Sequence, residues 1–156
     1  GISQSEAASF IDGYFARYHG VADYLDRVLD ECRQLGYAET IQGRRRPIHG
    51  IRPEPNRQRN MPERTAINSV IQGSAADLIK RAMIGVDGAL KRDNHPAKML
   101  LQIHDELVFE VPEDDLPSLV ELVRHEMESA LALDVPLVVD CAAGTNWLEI
   151  DEIAAG

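Results

Sequence analysis

Between two apolar runs, Met99–Ile103 and Leu107–Val111, stand His104, Asp105 and Glu106. Strands joined by a short bend usually turn on Gly or Asn, and this triplet offers neither. Adjacent carboxylates repel, and holding them beside an apolar sheet costs desolvation. A cation would offset that cost. Hard divalent ions such as Mg²⁺ are held by one or two carboxylates together with substrate phosphates. Asp105 and Glu106 are therefore candidate ligands for such an ion. The same triplet would also serve as an ordinary exposed polar bend.

Arg64, Asn68 and Gln72 recur at i, i+4 and i+8, which puts them on one face of a helix. A solvated face usually carries Lys and Glu, whereas this one carries a guanidinium and two amides. Such donors suit the DNA minor groove, where every base pair offers acceptors whatever its sequence. A plain polar face is the alternative. Gly73 follows the stripe. A glycine there costs about 1 kcal/mol of helix propensity, which predicts close approach by another backbone. A third set is Gly43-Arg44-Arg45-Arg46. Consecutive arginines on a turn can clamp phosphates, although basic runs are common and the signal alone is weak.

The chain around these residues has 156 residues, 44% of them apolar, which suffices for one ordinary core. Its net charge of −10 argues at first against a polyanionic partner, but the charge is unevenly spread. Arg44 to Arg64 holds seven arginines and two acids, whereas Glu113 to the end holds eleven acids and one arginine. That pattern fits an anion-binding face with an acidic back, or a solvated charged loop. No apolar run approaches the ~20 residues of a membrane span. Cys32 and Cys141 stand apart and match no metal spacing. A reduced, intracellular protein without a secretion signal is the expectation.

Periodicity supplies the elements that must position the candidates. A helix is predicted over residues 3–18, capped by Ser3 or Ser5 ahead of Glu6. A second runs from about Val21 to Leu35, with Leu25, Val28, Leu29 and Cys32 on one face and Gly36 as its stop. Tyr37–Ile41, a Gln42-Gly43 turn and the arginines read as a hairpin, and Pro53 and Pro55 mark a loop. A long helix follows to about Leu90, opened by Asn60 and Glu63 at capping-box spacing. The two runs around His104 read as strands, with the charged triplet as their bend. An acidic helix is predicted from Pro112 to Leu131, a last strand from Val135 to Gly144, and a tail over "TNWLEI". The order implies an α+β fold, with helices on one face of an antiparallel sheet.

Taken together, "GYAETIQGRRRPI", "ERTAINSVIQGSAADLIKRAM", "MLLQIHDELVFEVP" and "GTNWLE" resemble the C-terminal part of a family A DNA polymerase, the bacterial DNA polymerase I type. The resemblance covers nearly the whole chain, in the family's order. It implies an antiparallel palm sheet whose β-hairpin carries the metal carboxylate, packed against long helices. Residues 1–60 would be a partial fingers region with the basic hairpin and loop, and 61–156 the palm portion. Asp105 resembles the palm aspartate that holds catalytic Mg²⁺, with Glu106 supporting it. His104 resembles the residue near the primer terminus, with Gln102 beside the same strand end. Arg64, Asn68 and Gln72 resemble the helix that tracks the primer–template minor groove, and Arg44, Arg45 and Arg46 resemble backbone contacts.

Primer–template DNA and deoxynucleoside triphosphates are the implied partners, with no membrane and a cytoplasmic, nucleoid-associated location in a bacterium. DNA replication and repair are the implied processes. Two Mg²⁺ ions would serve the complete enzyme by a two-metal mechanism. The family's first metal aspartate and its nucleotide-binding fingers helix would fall before Gly1. The resemblance thus implies a fragment that is inactive alone and holds metal weakly or not at all. Val70 stands where many members have proline, which puts a kink there in doubt, and Pro47 stands where a larger residue is common. Two other readings remain. One is a non-catalytic duplex-DNA-binding module. The other is a metal-dependent phosphodiesterase on His104, Asp105 and Glu106, which would need a second ligand cluster that the scattered His19, His49, His95 and His125 do not suggest.

Overall fold

The computed structural model describes residues 2–52 and 60–153. The loop expected around Pro53 and Pro55, and the capping role expected of the Asn60 side chain, lie outside the described residues. The chain forms two compact units, Gly1–Ser74 and Ala75–Gly156, and the division falls inside one long helix. Helices and small antiparallel sheets make it an α+β protein. Among the described residues no helix is long and apolar enough to cross a membrane.

The first unit opens with α1 (Gln4–Arg17). Its capping box is formed: the Glu6 amide donates to the Ser3 hydroxyl at 3.3 Å, and the Ser3 amide donates to the Glu6 carboxylate at 2.8 Å. α1 buries no residue. Helices of this length are marginal on propensity alone, so the cap matters more than usual. The Ser3 amide first, and its hydroxyl second, hold the Glu6 carboxyl below its ordinary value of 4.5. A folded-state value below the unfolded one means stability present above pH 4.5 and lost as pH falls through the lowered value. Helicity of α1 by NMR chemical shifts is expected to decline below about pH 4.5, and Glu6→Gln is expected to remove that dependence.

Tyr18 ends α1 and starts α2 (His19–Leu35), two residues before the expected start. Gly36 closes α2 at φ 83°, donating to the Cys32 carbonyl at 2.8 Å. Val28 and Cys32 are buried on its inner face. Burial first, and Glu31 second, push the Cys32 thiol up, so it is a packing group and not a nucleophile. These side chains meet Ala38, Ile48, Ile51 and Ala66, with Leu29 and Val70 against them. β1 (Tyr37–Glu39) pairs antiparallel with β2 (Arg45–Pro47), Tyr37 opposite Pro47. The turn is one residue earlier than expected. Gly43 donates to the Thr40 carbonyl at 2.8 Å, and Thr40 donates to the Arg44 carbonyl at 2.9 Å. Gly43 takes φ 79°. That is a three-residue connection ending in a left-handed residue, a place glycine fills without strain.

α3 (Asn60–Arg92) is continuous helix through Val70. In the second unit, its Val86 and Leu90 form a core with Ala97, Leu119 and Val123. β3 (Lys98–Ile103) and β4 (Glu106–Glu110) form an antiparallel hairpin whose Met99 and Phe109 pack on that core. The acidic helix starts later than expected. A 3₁₀ turn covers Glu113–Asp115, and α4 spans Leu116–Glu128. Pro117 has no amide hydrogen to donate, so it is tolerated only in the first turn and fixes the start there.

Two expectations fail at the C-terminal end. Val135 to Asp140 is not a strand, and Val135 and Val138 are exposed. β-branched composition does not make a strand without a partner to pair with. The strand β5 is Cys141–Asn146, and its partner β6 (Glu149–Ile153) begins inside the stretch expected as a tail. The Asn146 side chain builds that turn by accepting from the Leu148 and Glu149 amides at 2.9 and 3.1 Å. The strands thus form three two-stranded sheets among the described residues and not one sheet.

Candidate functional site

In the first unit, α3 carries Arg64, Asn68 and Gln72 on one exposed face, as their spacing predicts. Met61, Arg64, Thr65 and Asn68 line a shallow, open hollow on it. The opposite face is buried at Ala66 and holds Ser69, which is also buried. Helical geometry thus sorts the residues: Arg64, Asn68 and Gln72 are presented, while Ala66 and Ser69 anchor the helix.

The arginine run reaches the same helix. Being in or beside a strand, its side chains alternate. Arg44 donates to the Gly73 carbonyl at 2.9 Å, and Arg46 donates to the Ser69 hydroxyl at 3.2 Å. Arg45 pairs with Glu39 at 2.6 Å and lies 4.8 Å from the Tyr37 ring centre. The Glu39 hydrogen bond, ahead of Tyr37, pushes the Arg45 guanidinium further up. Each guanidinium has an intramolecular partner, and all three side chains remain exposed. The run therefore serves both as a fastener between hairpin and helix and as a source of positive charge.

Sequence reasoning missed what sits opposite. Ser69 and Ser74 are poor helix formers in the middle of α3, and each returns its hydroxyl hydrogen to the carbonyl four residues back, at 2.5 and 2.6 Å. Their oxygens then accept from the hairpin, Ser69 from Arg46 and Ser74 from the Ile41 amide at 2.9 Å. Arg52 was also missed. It donates to the Arg33 and Gln34 carbonyls at 3.4 and 3.1 Å, serving the last turn of α2.

Gly73 does mark a close approach, but by a side chain and not a backbone. A Cβ there would lie 2.7 Å from Thr40 Cγ2. Gly73→Ala gains helix propensity of about 1 kcal/mol and meets an overpacking cost of about 1–3 kcal/mol. The net expectation is destabilisation in thermal melts. Thr40→Ser removes the obstructing methyl, so in that background Gly73→Ala is expected to stabilise.

In the second unit, the β3–β4 hairpin turns on two residues, His104 and Asp105. The triplet does not act as one bend, because Glu106 is already in β4, opposite Ile103. His104 takes φ 54°, the left-handed region that a side chain enters at a cost. The Gln102 amide donates to the His104 carbonyl across the bend. The strained residue is thus held from the strand beside it. His104, Asp105 and Glu106 are all exposed. At its far end the hairpin is fixed by the Met99 and Phe109 contacts and by Lys98–Glu110 at 3.6 Å. A register slip is opposed by the irregularity between Met99 and Leu101.

No group of three or more His, Cys, Asp or Glu side chains gathers among the described residues. What the bend offers is two exposed carboxylates on consecutive residues of a paired hairpin. That donor set fits a hard divalent ion whose remaining ligands come from phosphates and water. It does not fit a protein-only cage.

The profile of DNA polymerase family A matches residues 1–149. DNA polymerase I of Streptococcus pneumoniae (strain TIGR4) is 48% identical over 149 residues, covering 96% of this chain and 17% of that protein. DNA polymerase I of Bacillus subtilis is 46% identical, with 96% and 17% covered. Among solved structures, the POL domain of Pol1 from M. smegmatis, in complex with DNA primer-template and dNTP, superposes with a TM-score of 0.81 at 50% identity. That match covers 87% of this chain and 24% of the other. The chain spans about a sixth of the length of the curated relatives it matches. A family profile matched over residues 1–149, together with 48% identity across 96% of the chain, makes the assignment: the chain belongs to DNA polymerase family A.

Proposed function

We infer that this chain is part of an enzyme that adds deoxynucleotides to a primer 3′ end on a DNA template. The observation that carries the reading is the β3–β4 bend, where a strained His104 and the Gln102 bond present Asp105 and Glu106 to solvent. Nothing in core packing needs that geometry. The two-residue turn itself calls for a positive φ at its first position, which glycine fills without strain. A histidine followed by two carboxylates there is a choice that hairpin stability does not explain, and such choices are retained at reacting sites. Asp105, with Glu106, is the ligand pair for Mg²⁺. Such an ion lowers the pKa of a bound hydroxyl and stabilises a pyrophosphate leaving group. His104 and Gln102 lie at the primer end.

On the first unit, Arg64, Asn68 and Gln72 donate to minor-groove acceptors, which tests duplex geometry without selecting sequence. Arg44, Arg45 and Arg46 supply positive charge for backbone phosphates. In the family's terms residues 1–60 belong to the fingers and 61–156 to the palm. The substrates are deoxynucleoside triphosphates, the setting is replication and repair, and the location is the bacterial cytoplasm at the nucleoid. The phosphodiesterase reading is weaker, since it asks for further ligands beside His104, Asp105 and Glu106.

The test is a chimera. The matched stretch of the S. pneumoniae enzyme is replaced by residues 1–149 of this chain. Template-directed extension of a primer with Mg²⁺ is the expected result. A chimera that folds and binds primer–template yet extends nothing overturns the reading.

A further inference from the structure

We propose that Arg33 is a positioning residue for duplex binding, setting the first turn of α3 through Glu63 so that Arg64 faces the DNA. The inference rests on the groove-reading role given to Arg64 above. Arg33 lies in the last turn of α2, and Glu63 in the first turn of α3. One arm of the Arg33 guanidinium holds Glu63 at 2.7 Å, and the other holds Asp30 at 2.7 Å. The pair is sheltered: the Arg33 side chain is 35% exposed and that of Glu63 29%. Solvent and salt screen such a pair less than one on the open surface. The guanidinium is pushed up, by the Glu63 hydrogen bond above all, so it stays charged.

The need for an anchor follows from helix physics. The first turn of a helix lacks amide partners and frays unless something ties it down. Met61 is 70% exposed, and the first fully buried side chain of the helix start is Ala66. Asn68 and Gln72 lie beyond that point, where Ser69–Arg46 and Gly73–Arg44 already fix the helix to the hairpin. Arg64 lies before it. Its neighbour Glu63 is tied to α2, and the Arg33 carbonyl is itself held by Arg52. A planar fork spanning two carboxylates fixes direction as well as distance. Releasing it frees the turn that carries Arg64 and leaves the rest of the stripe in place.

Binding of the 156-residue chain to a primer–template duplex, by fluorescence anisotropy at low salt, tests this. Arg33→Ala is expected to weaken binding by roughly the factor that Arg64→Ala does, about tenfold. The double variant should be no weaker than Arg64→Ala alone, since both act on one contact. Glu63→Ala is the sharper variant. It removes a negative charge, so long-range electrostatics predicts tighter binding to a polyanion, whereas loss of the anchor predicts weaker binding. The exchanged pair, Arg33→Glu with Glu63→Arg, made with Asp30→Asn so that the new carboxylate does not face Asp30, restores the bridge and, measured against Asp30→Asn alone, is expected to recover most of the affinity. Hydrogen exchange at the Arg64 and Thr65 amides should rise in Arg33→Ala and fall back in the exchanged pair. Tighter or unchanged binding by Glu63→Ala, or additive losses in the double variant, would overturn the proposal. If Arg64→Ala binds like wild type, the groove-reading role fails instead. The amide exchange then still reports whether Arg33 holds the turn.

Discussion

Asp105→Ala, placed in the chimeric polymerase, is expected to abolish nucleotide addition while primer–template binding stays within about twofold, because phosphate contacts set affinity. Among the described residues, the exposed carboxylate at the bend makes no hydrogen bond or ion pair that holds the hairpin together. Its removal should therefore cost little stability, since exposed substitutions away from special features stay within about 0.5 kcal/mol. On the proposed reading it removes a ligand for the ion that would stabilise the developing charge. That stabilisation amounts to several kcal/mol, so the rate should fall on the order of 10³-fold or more. Glu106→Ala should cost less, because Glu106 sits in the strand and supports the site from one residue away. Primer extension with Mg²⁺ and binding by anisotropy, run on the same preparation, separate the two effects. Near-normal turnover in Asp105→Ala would remove the carboxylate from the chemistry and return the bend to an ordinary polar turn.

How far the molecule was legible beforehand depends on which force decides each element. α2 and α3 follow from local signals: apolar spacing, a glycine stop and a long run without breakers. The β3–β4 hairpin follows from two apolar runs at close spacing, although its true bend is shorter by one residue. The stretch Val135–Asp140 carries strong β composition and forms no strand, while Glu149–Ile153 carries three acids and does. Pairing decides both, and pairing is not a property of one segment. The Asn146 side chain, placed to accept two amides, was the local sign of the β5–β6 hairpin.

The site divides in the same way. Exposure of Arg64, Asn68 and Gln72 follows from a period of 3.6, and so was readable. Which arginine of the run meets which partner was not. It depends on the strand's alternation and on where Ser69 and Gly73 lie on α3. Gly73 shows the limit of a correct signal. The glycine did mark crowding, but only the folded chain shows that a threonine methyl supplies it. The strain at His104 was legible in outline, since a histidine stood where turn chemistry favours glycine.

Arg64→Ala and Gln72→Ala should both weaken function, and the difference between them identifies what each side chain does. Arg64 brings a charge as well as donors. Its loss should weaken duplex binding about tenfold and lower the slope of log affinity against log salt by about one. Gln72 brings an amide alone, so its loss should leave the salt slope unchanged. A groove acceptor that loses its donor while shielded from water costs about 1–3 kcal/mol. That cost should appear as slower extension by the chimera. It should be greatest past a mismatched primer end, where the remaining donors are already poorly matched to the groove. Exposure of both residues on an α3 held by its buried face argues that neither change unfolds the unit. Melting temperatures of the variants should therefore stay close to wild type. If both variants bind and extend matched and mismatched primers as wild type does, the stripe is a solvated face. The basic run Arg44 to Arg46 would then be the remaining proposed contact on the first unit, and binding should follow salt alone.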